Sequence, residues 1–375
     1  MLGFVLAGGG ARGAYEAGVL RYVFTTLASR HGINPNPDVI SGTSVGALNG
    51  AWVGATGPVG AAQLWEFWQN VTIDQVYNFS ATDFLRRPSK WLERTTEFGQ
   101  GVGIFDPTPL YRMIRDQVPW AALHERIDSG ALKAFMISAT DVGTGRTRIF
   151  TDGDVRLRRA ATSTATRCRI GPEHCLASAA IPFVFPAIRI DGRYFVDGAL
   201  RQNTPLSPAV EAGIERVLVV GVKRLKREED APNVSPTPAF LAGKALNALM
   251  LDPIEENIRR IDALNDLMRW GRDAYPDFMA RLTTEFKPYH IVEHVFLRPS
   301  EDIGRMAADV FRSSGDRLPW AVRQLLGSIA GGEHQKEADL MSYLFFDRNF
   351  TAAVEDLGYC DAAKAEEELV ALFSR

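Results

Sequence analysis

The sequence is poor in cysteine and lacks the spacings that cysteine-based sites require. Its 375 residues include three cysteines, Cys168, Cys175 and Cys360, and no C-x-x-C pair. An odd number of scattered cysteines argues against a disulfide framework and against a thiolate metal site. We therefore expect three reduced cysteines that are mostly buried, and no bound metal.

An excess of one charge sign is also missing. The 42 Lys and Arg residues nearly balance the 45 Asp and Glu residues, and the net charge is -3. Nucleic-acid-binding domains usually carry a clear basic excess, and solvating tails carry blocks of like charge. With 46% apolar residues, the composition is that of a globular protein. We expect no nucleic-acid partner.

A simple membrane-spanning run is absent as well. One stretch, between Asp38 and Glu66, has no charged residue, but six glycines and Pro58 interrupt it. Such residues suit a buried strand, a tight turn and a core helix better than a span. The first predicted strand begins by Gly3, which leaves no room for a secretory leader before it. We therefore expect a cytoplasmic protein.

What the sequence does contain is an alternation of apolar runs and helical periodicity. A short apolar run at 3–8 is followed by helical spacing from Ala14, a second strand at 37–44 and a helix of small residues. This order with short connections predicts an α/β fold, with three α/β/α layers around a mostly parallel sheet. Further strands are predicted at 132–142, 146–151, 191–199, 215–222 and 289–300.

Two regions depart from this rhythm. Residues 58–130 are rich in aromatics and predict a helical and loop insertion over one edge of the sheet. Residues 226–375 are mostly helical with one further strand. We expect them to pack on the catalytic domain formed by residues 1–225. The sequence does not indicate an oligomeric state.

The second strand leads into a G-x-S-x-G motif, Gly42-Thr43-Ser44-Val45-Gly46. Between a strand and a helix, this motif is typical of an elbow that exposes a serine nucleophile. The helix that follows adds favourable potential for a developing negative charge. The alternative is a tight turn with a structural role only.

The first strand leads into a glycine loop that permits two interpretations. Gly8, Gly10 and Gly13 fit G-x-G-x-x-G, but a dinucleotide site needs an acid near the end of the second strand. That strand ends in Ser41 to Ser44 instead, so we expect no dinucleotide cofactor. The backbone N–H groups of residues 8–10, with that of Val45, are predicted to form an oxyanion hole.

Two kinds of base remain open for the serine. His290 and His294 come late enough in the chain for a hydrolase triad, but they lie in or beside an apolar strand, where a structural histidine is the simpler interpretation. Asp197 ends an apolar strand and precedes a glycine, at the kind of strand end where α/β active sites form. Read alone, its Asp-Gly pair is a turn dipeptide.

Four segments in order, GGGARG, GTSVG, ASAAIPFVFP and DGA, resemble the patatin-like phospholipase family. The resemblance covers residues 8–199. It implies Ser44 as nucleophile and Asp197 as base of a Ser-Asp dyad without histidine. It implies that Arg12 shapes the loop or meets an anionic head group. The remaining implied residues are the oxyanion-hole members Gly8, Gly9, Gly10, Ala11 and Val45, the motif glycines Gly13, Gly42, Gly46 and Gly198, and the acyl-site residues Pro182, Phe183 and Phe185.

The same resemblance implies a serine hydrolase that cleaves fatty acyl esters of phospholipids or related lipids and needs no cofactor. An acyltransferase would share every one of these features, and a histidine-triad esterase remains the other alternative. Within the aromatic insertion, FLRRPSKWLER (84–94) mixes apolar and basic residues. Such a segment either contacts anionic bilayers peripherally or forms an ordinary solvated helix.

Overall fold

The computed structural model describes residues 1–78, 95–96, 99–100, 103, 105–155, 157, 163–224, 254–285, 290–314, 323 and 339–374. Its strands are β1 Leu2–Leu6, β2 Val39–Thr43, β3 Thr95–Thr96, β4 Gly99–Gln100, β5 Ala134–Asp141, β6 Thr147–Gly153, β7 Ser163–Arg167, β8 Ala187–Ile190, β9 Arg193–Asp197, β10 Arg216–Val220 and β11 Glu293–Leu297.

The α-helices described before residue 212 are α1 Gly13–Arg21, α2 Ala28–His31, α3 Val45–Asn70, α4 Ile73–Val76, α5 Thr108–Gln117, α6 Trp120–Asp128, α7 Pro172–Ser178 and α8 Leu206–Glu211. Those of the carboxyl-terminal part are α9 Ile254–Ala274, α10 Phe278–Glu285, α11 Ile303–Ser314, α12 Asp339–Leu344, α13 Arg348–Lys364 and α14 Glu366–Phe373. A π-helical segment, Tyr22–Leu27, joins α1 to α2.

The strands form one sheet in the order β11-β10-β1-β2-β5-β9-β8-β4-β3, with β6 beside β5 and β7 beside β6. From β11 to β5 all neighbours are parallel. The strands β9, β8, β4 and β3 continue it in antiparallel pairs. Helices flank the sheet, and the predicted α/β fold with a mostly parallel sheet is confirmed.

Alternating side chains of the central strands supply two hydrophobic clusters, one on each face of the sheet. In β1, Phe4 and Leu6 belong to the cluster that packs against α1, α3 and α13. Val5 belongs to the cluster that packs against α8 and the start of α9. Because successive strand residues point to opposite faces, a run of apolar residues marks a strand covered on both sides.

The helix α3 passes through the start of the predicted aromatic insertion. Its path is kinked at Gly57, which has φ 61 and ψ -162, and Pro58 follows directly. A proline cannot donate the helical hydrogen bond, so Pro58 accounts for the position of the kink. Among the described residues, no helix is long and apolar enough to cross a membrane.

Carboxyl-terminal helices pack directly on the amino-terminal ones. The hydroxyl of Tyr359 in α13 lies 2.8 Å from Oγ1 of Thr26, and Tyr15 in α1 donates to Asp361 at 3.3 Å. The neighbouring Cys360 is exposed, whereas Cys175 is buried. The expectation of mostly buried cysteines is therefore wrong, because Cys168 is half-buried and Cys360 is exposed on α13.

Candidate active site

Ser44 lies at a sharp turn between β2 and α3. Its backbone has φ 54 and ψ -123, a conformation that is strained for a residue with a side chain. A Cβ on Gly42 would lie 2.4 Å from the carbonyl oxygen of Gly46, and one on Gly46 would lie 2.3 Å from that of Leu6. Only glycine fits both positions, so the motif spacing follows from the close approach of three backbone segments.

The Ser44 hydroxyl donates a hydrogen bond of 2.8 Å to Oδ2 of Asp197. Asp197 ends β9, and its register partner is Ala139 of β5. Because β5 also pairs with β2, the sheet order brings together two residues that are 153 positions apart. Ser44 is 4% exposed and Asp197 1% exposed, so the pair is shielded from bulk water.

The surroundings of Asp197 fix its orientation and change its acidity. Oδ1 accepts a hydrogen bond from the backbone N–H of Ala199 at 2.8 Å, and the hydroxyl of Thr140 donates to the Asp197 carbonyl at 2.9 Å. Burial raises the pKa of the carboxyl from 3.8 to about 7, although the hydrogen bonds from Ala199 and Ser44 act in the opposite direction. Desolvation dominates because it penalises the ionised form.

The glycine loop faces Ser44, but not all of its N–H groups are free. Gly8 donates to the carbonyl of Asn203 at 3.0 Å. This corrects the expectation that Gly8 contributes to an oxyanion hole, because its donor is already used. Within the described part of the chain, no acceptor contacts the N–H groups of the other four predicted members, which are Gly9, Gly10, Ala11 and Val45.

Arg12 is buried and points away from solvent. Its Nε donates to the hydroxyl of Ser342 at 2.7 Å, and Nη2 lies 3.0 Å from Oδ1 of Asp339. The guanidinium also stands 4.3 Å from the ring centroid of Tyr343, a cation–π distance. Of the two expected roles, this geometry favours shaping the loop over meeting a head group.

Comparison with known proteins identifies the family of the chain. The sequence model described as patatin-like phospholipase matches residues 4–210, more than half of the chain. The chain belongs to the patatin-like phospholipase family. Patatin-like phospholipases are lipid acyl hydrolases. Among solved structures, the crystal structure of VipD from Legionella pneumophila is similar with a TM-score of 0.40 and 11% identity, over 97% of this chain and 66% of VipD.

An apolar pocket, which we call the channel, has Ser44 in its wall. Its cavity volume is about 70 Å³. Its wall includes Gly10, Ser44 and Val45. The helices α3 and α5 supply many of the other lining residues. Further lining side chains are those of Trp68, Phe185, Tyr343, Leu344 and Phe346.

The three predicted acyl-site residues separate in the structure. Phe185 is buried and lines the channel. Phe183 is 68% exposed, and neither it nor the half-buried Pro182 is among the lining residues. The expectation for Pro182 and Phe183 therefore needs correction. The physical reason is the positive φ of 67 at Phe183, which turns the chain so that its neighbours Val184 and Phe185 are buried instead.

Ser178 contacts the backbone of Ser44, although the sequence motifs did not mark it as a site residue. The hydroxyl of Ser178 accepts the N–H of Ser44 at 2.7 Å and donates to the carbonyl of Ser138 at 2.7 Å. Ser178 is fully buried at the end of α7. Its place within ASAAIPFVFP was a signal that could have found it, because a buried serine needs hydrogen-bond partners.

The five histidines in the described part of the chain have partners other than the Ser44–Asp197 pair. His290 contacts the carbonyl of Ile214 at 2.6 Å, and His294 lies 3.7 Å from Asp262. The other contacts are His31 with Glu366, His124 with Ile170, and His174 with Gly171 and Cys168.

The segment 84–94, on which the prediction of bilayer contact depends, lies outside the described residues.

Proposed function

We propose that this chain is a serine lipid acyl hydrolase of the phospholipase A or lysophospholipase type. Ser44 is the nucleophile and Asp197 the general base. The observation that carries the proposal is the 2.8 Å hydrogen bond from Ser44 Oγ to Asp197 Oδ2, made where Ser44 meets an apolar channel. A buried carboxylate with a pKa of about 7 is matched to proton transfer near neutral pH.

The reaction proceeds in two halves. Ser44 Oγ attacks the ester carbonyl while its proton passes to Asp197, and the tetrahedral intermediate then expels the alcohol, which takes that proton. In the second half a water molecule gives its proton to Asp197 and attacks the acyl-serine. The fatty acid leaves as Ser44 recovers the proton. The base returns to its carboxylate form, so no cofactor is consumed.

Backbone N–H groups stabilise the oxyanion in both halves. The candidates are those of Gly9, Gly10, Ala11 and Val45. The α3 dipole adds to them, because its first residue follows Ser44 directly and a helix N-terminus favours negative charge. The N–H of Ser44 is excluded, since it donates to Ser178.

The channel supports a lipid as the substrate. Its wall is almost wholly apolar, so it accepts a hydrocarbon chain and leaves the polar part of the lipid outside. Peripheral contact with a lipid surface belongs to this proposal, because long-chain phospholipids reside in bilayers. Co-sedimentation with phosphatidylglycerol vesicles tests that part: binding supports it, and protein left in the supernatant contradicts it.

The central experiment measures hydrolysis of p-nitrophenyl acyl esters and of a defined phospholipid. It compares wild type with Ser44→Ala and Asp197→Asn, and uses Ser129→Ala as the matched serine control, because Ser129 is exposed on the surface. A His290→Ala variant tests the triad alternative. We expect loss of activity in the first two variants and retention in the other two.

The outcomes separate the alternatives. Activity that survives Asp197→Asn and disappears in His290→Ala would replace the dyad by a histidine triad. Activity that survives Ser44→Ala would remove the nucleophile assignment. Acyl transfer to an added alcohol, measured as ester product alongside fatty acid, would show that water is not the preferred acceptor.

A further inference from the structure

Residues 339–346 form one side of the candidate site although they are distant from it in sequence. They comprise α12 and the two residues after it, and lie far beyond residues 4–210, where the family match ends. We call them the 339–346 segment. None of the motifs found in the sequence predicts that this segment contacts the glycine loop.

The backbone of the 339–346 segment lies directly against the backbone of the glycine loop. Gly10 has φ 56, and a Cβ there would lie 2.1 Å from the carbonyl oxygen of Tyr343. Two residues further on, Arg12 is anchored to Ser342 and to Asp339. Arg12 is only 4% exposed, so these charge-assisted contacts are shielded from water and hold the loop and the segment together.

The same segment also forms wall of the apolar channel. Tyr343, Leu344 and Phe346 all line it. The Leu344 carbonyl accepts a 2.8 Å hydrogen bond from the hydroxyl of Tyr77, which fixes the backbone on the channel side. The Phe346 ring lies nearly parallel to that of Trp68, with 6.4 Å between centroids and 14° between planes.

Phe345 and Phe346 are adjacent in sequence but have different surroundings. Its ring stacks on Phe350 at 5.5 Å and meets Phe311 edge-on at 5.9 Å. Phe345 is fully buried in the helical layer and does not line the channel, whereas Phe346 is half-buried and does.

We propose that the 339–346 segment is part of the acyl-binding site and that Phe346 determines its preference for long acyl chains. This inference rests on the proposed function of Ser44. Apolar contact stabilises a bound chain in proportion to the area removed from water. In this proposal a butyryl chain on Ser44 ends short of the Phe346 ring and gains nothing from it. A palmitoyl chain contacts the ring and loses that contact when the ring is removed.

The test is the ratio of kcat/KM for p-nitrophenyl palmitate to that for p-nitrophenyl butyrate, measured in one detergent. Phe346→Ala should lower this ratio about tenfold, the equivalent of losing contact with about two methylene groups. Phe346→Leu should lower it less. Phe296→Ala is the matched control, because Phe296 packs on the opposite face of the sheet, and its ratio should stay within twofold of wild type.

If Phe346→Ala does not fold, as judged by circular dichroism, the same ratio measured for Phe346→Leu provides the test. A ratio that stays within twofold of wild type in the Phe346 variants, or that rises, overturns the inference while leaving the proposed function intact. If Ser44→Ala cleaves both esters like wild type, the proposed function fails, and this inference fails with it.

Discussion

Replacing Asp197 by asparagine should remove most of the activity and at the same time stabilise the protein at alkaline pH. The carboxyl is almost completely buried, and burial raises its pKa from 3.8 to about 7. Asparagine has nearly the same shape and keeps an oxygen that can accept the Ala199 N–H, but it never ionises. The base is lost, and so is the cost of burying a charge.

The sign and size of the stability effect follow from proton linkage. The unfolded chain releases the Asp197 proton near pH 4, while the folded protein holds it up to about pH 7. Between these values the folded state binds more protons, so the stability contributed by this group is complete below pH 4 and falls as pH rises. The fall ends above pH 7 and amounts to about 4 kcal/mol at most.

Urea denaturation at a series of pH values from 4 to 9 measures this effect. The free energy of unfolding of Asp197→Asn, relative to wild type, should rise across the series by up to about 4 kcal/mol. Ester hydrolysis should fall by about 10²- to 10⁴-fold, the usual contribution of a general base. Asp266→Asn, at an exposed position of α9, is the control and should show neither change.

A relative stability of Asp197→Asn that does not vary with pH would refute the reasoning, because it would mean that the buried carboxyl does not titrate differently in the folded and unfolded states. An activity that persists in the variant would refute the assignment of the base, whatever the stability data show.

Three further variants probe the surroundings of Ser44. Ser178→Ala leaves the N–H of Ser44 buried without an acceptor, so kcat should fall about 10- to 100-fold with little change in KM, from a loss of about 1–3 kcal/mol; a change in KM alone contradicts this. Gly10→Ala should lose most activity and melt at lower temperature than Gly32→Ala, because both have positive φ but only Gly10 has a backbone oxygen in the way. Phe185→Ala should lower hydrolysis of long-chain esters and cost about 3–5 kcal/mol of stability, whereas Phe183→Ala, at an exposed position, should leave both nearly unchanged.

Several features of the fold were predictable because they depend on local chemistry. The apolar runs predicted at 3–8, 37–44 and 215–222 correspond to β1, β2 and β10, since strands covered on both faces must be apolar at successive positions. The short antiparallel strand β8 was missed. It follows the proline-rich segment and presents alternating exposed residues, so its pattern is weaker than that of a buried parallel strand.

The site was predictable only in part, for a similar reason. Ser44 and Asp197 occupy strand ends that a motif and an apolar run can mark. Whether a given N–H is already hydrogen-bonded, or a given ring is exposed, cannot be predicted in this way. Gly8 donates to Asn203, and Phe183 is exposed while Phe185 is buried. Both features depend on which distant part of the backbone lies opposite each residue.

The sequence by itself determined the α/β alternation and the glycines that permit a strained elbow, and it marked Ser44 and Asp197 as candidates. These depend on residue size and on spacing along one strand or one turn. Only the tertiary structure decided the 2.8 Å Ser44–Asp197 contact, the raised pKa of Asp197, the contact of Ser178 with Ser44 and the placement of the 339–346 segment against the glycine loop. Distance, desolvation and channel shape arise from elements that are far apart in the chain, and they come into being only when the sheet is assembled.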